Sequence, residues 1–134
     1  MSELSRFIEH GAERVTPRIL DNLLHRLPQL KLEFTQIKAP EFPHLIDQLE
    51  FLADALEDSI ERAYLDLPLY AISSIAYALI YAHRVSDLIP DHIIHFGHVD
   101  DSAIVRTVLV MHEKDLKAYA LSQGMDWHRI TTKP

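Results

Sequence analysis

Four aspartates and four histidines gather in one short stretch of the chain: Asp87, Asp91, Asp100 and Asp101, with His83, His92, His95 and His98. Carboxylate oxygens grouped in this way suit magnesium, calcium or manganese, and imidazoles suit zinc, nickel or iron. Asp87 and Asp91 stand four residues apart and would share a face on a helix. Asp100 and Asp101 could close over them after the turn at Gly97. His92, His95 and His98 step by three, although His98 falls beyond the glycine. The candidate metal ligands are Asp87, Asp91, Asp100, Asp101 and His98; no cofactor is expected, and a divalent metal at these residues is the alternative. The signature is a loose one. It lacks the His-Glu-x-x-His of zinc proteases, and Asp91-His92 reverses the His-Asp order of metal phosphohydrolases.

The same residues also read as a structural corner made of Ser86, Asp87, Pro90, Gly97 and Asp100. Ser86 or Asp87 can cap a short helix whose first turn tolerates Pro90, because the first amides of a helix have no intrahelical partner. Gly97 can adopt the left-handed conformation that stops it. Asp100 then caps a final helix, and Asp101 sits in its first turn, where negative charge is favoured. Capping explains every aspartate without a ligand.

Tyr81, Ser86, Asp87, Leu88, Ile89, Pro90, Asp91, Gly97, Asp100 and Asp101 together resemble the hallmark of the YkvA-like family, a bacterial family with a domain of unknown function. The resemblance covers about residues 67–110. It implies a helical hairpin pinned at the corner, membrane association in some relatives, and no established reaction. This chain departs from the family in having Val85 where a proline is usual. It also has His92, His95 and His98 at positions that are apolar or variable there. Residues 1–66 form an N-terminal helical extension outside the resemblance.

The elements that must hold this corner are helical. Residues 3–15 place Leu4, Phe7, Ile8, Ala12 and Val15 at helical spacing. Thr16-Pro17 reads as an N-cap followed by proline at the first helical position. The helix that follows carries Leu20, Leu23, Leu24 and Leu27 until Pro28 interrupts it. Over residues 29–43, Leu30, Leu32 and Phe34 alternate with polar residues and two prolines follow, which predicts an extended or partly helical crossing. Residues 44–65 carry an apolar stripe of Leu45, Leu49, Leu52, Leu56, Ile60 and Ala63. Opposite it runs an acidic row of Asp47, Glu50, Asp54, Glu57, Asp58 and Glu61. That row reads as a solvated face, or else as a docking surface for a basic partner.

Residues 67–82 are apolar nearly all round, which places their helix centrally. Sixteen residues fall short of the roughly twenty that span a bilayer. Ser73 and Ser74 lie in this helix without a nucleophile turn and read as sites of close helix approach. Tyr70, Tyr77 and Tyr81 read as core edge. A last helix over 101–122 uses Ile104, Val105, Val108, Leu109, His112, Leu116 and Tyr119, and Gly124 stands at its C-terminal cap. Residues 125–134 form a tail with Trp127 as anchor. The expected fold class is all-α: a single domain of about five helices over 1–134, with the crossing near 29–43 and the tight corner at 84–101.

The chain has 134 residues, no cysteine and a formal charge of −7. Its first 66 residues hold thirteen acidic against seven basic side chains, and no basic stripe exists to meet phosphates. Nucleic acid and anionic lipid are disfavoured as partners. Only three glycines are present, which leaves no phosphate-cradling loop. No signal peptide is evident at the N-terminus, and the lack of cysteine is compatible with a cytoplasmic location. The expected function is a soluble helical interaction or scaffold module without catalysis, acting on another protein or as a homo-oligomer. A divalent-metal-binding protein or metal-dependent hydrolase built on the aspartates is the alternative. A membrane-peripheral module using residues 67–82 is the third.

Overall fold

The structure is a computed structural model, and it describes residues 3–38, 40–83 and 98–133. Within them lie six α-helices and no strand: α1 (Glu3–Ala12), α2 (Pro17–Phe34), α3 (Leu45–Ile60), α4 (Leu69–His83), α5 (His98–Met111) and α6 (Glu113–Ser122). A single 3₁₀ turn, Trp127–Arg129, follows α6. The all-α expectation holds, and one continuous core runs from Ile8 to Ile130.

α2 begins as its sequence requires. Thr16 has extended backbone, its Oγ1 accepts from the Ile19 amide at 3.2 Å, and Pro17 takes the first helical position. The helix does not stop at Pro28, however, and the expected crossing shortens to residues 35–44. Leu23, Leu27, Leu30 and Phe34 form one buried stripe at the helical period, while Leu32 is 57% exposed. A proline inside a helix costs about 3 kcal/mol. Burying Leu30 and Phe34 gains about 1.5–3 kcal/mol each, which meets or exceeds that cost. The apparent alternation over 30–34 is the helical stripe seen through a short window.

α4 is central, as its composition predicts. Ala71 and every residue from Ser74 to Tyr81 are buried, and the helix packs against α1, α2, α3 and α5. It packs tightly on α1, where Gly11 lies against the Tyr77 ring and leaves no room for a Cβ. Among the described residues no helix is long and apolar enough to cross a membrane.

α3 is more enclosed than a two-faced helix. Gln48, Leu49, Phe51, Leu52, Ala53, Ala55 and Leu56 are all buried, and its acidic row is partly engaged. Lys31 on α2 reaches Asp54 at 2.8 Å and Glu57 at 3.1 Å, and the Tyr119 hydroxyl donates to Asp58. The helix ends before residue 65, at Ile60. The Arg62 amide then bonds the Ser59 carbonyl, the Ala63 amide bonds the Asp58 carbonyl, and Arg62 takes φ +65°. This is a Schellman ending with arginine in the left-handed position that glycine normally fills.

The expected last helix divides into two. α5 starts at His98 rather than 101, and the helix breaks at His112, whose backbone (φ −118°, ψ 29°) departs from helical values. The bend turns Leu116, Tyr119 and Ala120 into the core, where Tyr119 meets the Phe51 and Tyr64 rings at 5.7 and 5.0 Å. Gly124, at φ +70°, closes α6 with the same two bonds, Gly124 to Leu121 and Met125 to Ala120. The tail has more than its expected anchor. Trp127 packs edge-on to Phe51, Ile130 is buried, and the Gln48 side-chain amide donates to the Thr131 and Lys133 carbonyls.

Candidate functional site

Ser86, Asp87, Pro90, Asp91 and Gly97, together with His92 and His95, lie outside the described residues. His98 and Asp100 fall in the first turn of α5, so Asp100 lies two residues inside the helix rather than ahead of it. Asp101 is also in that turn and is 1% exposed. A carboxylate there faces the positive end of the helix dipole. Among the described residues no three His, Asp or Glu side chains are close enough to hold a metal ion.

Chemistry-bearing groups converge elsewhere. A groove of about 540 Å³ runs between α1, α4 and the α5–α6 junction, within the size range of ligand-binding clefts. Its apolar surface comes from Ala12, Leu69 and Met111; Glu9 and Glu13 stand on the α1 side, and Ser73 and Ser74 on the α4 side. His112 lies at the bend and is 6% exposed, and among the described residues neither of its ring nitrogens has a hydrogen-bond partner. Tyr70, 63% exposed, lies against the imidazole with ring centroids 5.4 Å apart and planes tilted by 42°. Its hydroxyl donates to Asp115 Oδ2 at 3.2 Å, and that bond raises the Tyr70 pKa.

Burial lowers the His112 pKa below its ordinary value, and the Asp115 and Glu9 carboxylates oppose this only in part. The imidazole is therefore neutral at pH 7, with one nitrogen a donor and the other an acceptor. Leaving such a group buried and unpaired costs about 1–3 kcal/mol. No nucleophile–base pair is assembled around it. The Ser74 hydroxyl donates to the Tyr70 carbonyl at 3.0 Å, and among the described residues no carboxylate bonds a ring nitrogen to orient it for proton transfer. The groove can hold a hydrogen-bonding group with an apolar body, and its carboxylates favour positive over negative charge.

In the sequence, His112 falls on the apolar stripe of the last helix, and the density of chemistry-bearing residues points to the aspartates instead. The signal that could have found it is a polar, titratable side chain at a core position of an otherwise aliphatic row. Its neighbours were beyond reach, because Glu9, Tyr70 and His112 come from three segments that only the packing of α1, α4 and α5 unites. No family model, curated protein or solved structure matches the chain.

Proposed function

We propose that this chain is a helical protein-interaction module without catalytic activity, and that its binding surface is the groove between α1, α4 and the α5–α6 junction. The observation that carries this reading is the buried, unpartnered imidazole of His112 on an apolar groove. A fold that leaves a donor and an acceptor unsatisfied beside exposed Leu69 and Tyr70 has kept polar capacity for something other than itself.

Selection of displayed random peptides on the full chain tests it. Ser73→Trp serves as the counter-selection, since an indole at this half-buried position would fill the groove. Peptides that bind the wild type and lose at least about tenfold in affinity for Ser73→Trp are expected, about 1.4 kcal/mol. An absence of groove-dependent binders would overturn the reading.

A further inference from the structure

The chemistry of the occupant can be narrowed, on the reading that the groove is the binding surface. Among the described residues its lining includes two carboxylates, Glu9 and Glu13, and no lysine or arginine. Asp115 adds a third carboxylate beside Tyr70. An anionic group entering here would meet like charge, and a neutral apolar group would leave the imidazole unpaired. A cationic N–H donor on an aliphatic stem satisfies both conditions.

We propose that the groove receives an arginine side chain of a partner protein. One guanidinium N–H donates to the unprotonated nitrogen of His112, the methylenes lie along Ala12, Leu69 and Met111, and Glu9 and Glu13 face the charge. Arginine fits better than lysine, because a planar guanidinium can stack on the Tyr70 ring while keeping its in-plane donors free. Tyr70 is the movable part. It is largely exposed and its hydroxyl is held to Asp115 by a surface hydrogen bond, so a rotation that opens the imidazole and turns the ring face onto the incoming guanidinium costs little.

The test is a titration of the full chain with blocked Phe-Arg amide, followed by the nitrogen resonances of the His112 ring. Blocked Phe-Glu amide and agmatine, a guanidinium without a peptide, serve as the other two probes. Saturable movement of the His112 signals with the arginine peptide is expected, with none from the glutamate peptide and weaker binding of agmatine. His112→Leu should weaken the arginine peptide by at least about tenfold. Glu13→Gln, at an exposed position that leaves the core intact, should weaken it about two- to fivefold. Equal binding of the glutamate peptide, or unchanged affinity in both variants, would overturn the proposal. Agmatine binding as tightly as the peptide would overturn the assignment to a protein side chain. Displayed peptides that depend on the groove yet are not enriched in arginine would defeat this inference and leave the module reading standing. An absence of any groove-dependent peptide defeats the module reading itself.

Discussion

An imidazole with neither nitrogen bonded is a stability cost that the His112 position carries at every pH, and protonation adds to it. The folded pKa lies below the unfolded value of about 6.5. Above that value His112 is neutral in both states. As pH falls below it, the unfolded chain takes up the proton first, so folding stability declines toward the folded pKa. His112→Leu removes both the unsatisfied groups and this titration. Urea unfolding at pH 7.5 should show the variant more stable by about 1–2 kcal/mol. Its advantage should widen at pH 5.5; equal or lower stability at both pH values would contradict the assigned cost. Arg62 is the second residue with a local cost, since a side chain at φ +65° is strained by about 1–2 kcal/mol. Glycine there gives back part of the gain through its freer unfolded state, so Arg62→Gly should stabilise by about 0.5–1 kcal/mol in the same assay. The structure supplies a comparison in Gly124, which closes α6 with the same pair of bonds and whose role is readable from the sequence. Arg62 is not readable in that way, because nothing in an arginine codon announces a left-handed backbone.

At the scale of the helices, local chemistry was legible and long-range packing was not. Thr16-Pro17 starts α2 through bonds within its own first turn, and the nearly continuous apolar surface of residues 67–82 announces a central helix, which is buried from Ser74 to Tyr81 while Leu69 and Tyr70 stay exposed. Pro28 misleads because its cost is local, whereas the compensation comes from Leu30 and Phe34 buried against other helices. The bend at His112 carries no proline or glycine, and its reason lies in the distant Phe51 and Tyr64 rings that Tyr119 must reach. The α1–α4 contact depends on an absent side chain. Gly11→Ala should lower stability by about 1–3 kcal/mol through collision with the Tyr77 ring, despite a gain of about 1 kcal/mol in helix propensity. A thermal melt equal to wild type would show that α1 shifts freely. The tail strap is tested by Gln48→Leu, which removes both bonds to the Thr131 and Lys133 carbonyls. Faster trimming by carboxypeptidase, with core stability lowered by about 1–2 kcal/mol, is expected; unchanged trimming would mean that Trp127 and Ile130 hold the tail alone.

For the molecule as a whole, one core draws on all six helices, and among the described residues His112 is the buried side chain with unmet hydrogen bonding that lines a groove, on a chain whose formal charge is −7. The acidic row of α3 was the sequence's other candidate for a basic partner. Lys31 occupies Asp54 and Glu57, and Tyr119 occupies Asp58, so that row is partly spent on holding α2 and α6 in place. Among the described residues the groove at His112 has no such internal cation in its lining. The Asp and His corner drew attention by density of residue types alone, whereas burial and unmet hydrogen bonding, which no sequence displays, identify His112. The most direct measurement is the binding of a groove-selected peptide to wild type and His112→Leu, with unfolding stability measured on the same two samples. Binding weakened at least about tenfold, in a variant that is as stable as wild type or more so, is the expected result. Unchanged binding in a folded His112→Leu variant would contradict the claim that this imidazole is kept for a partner.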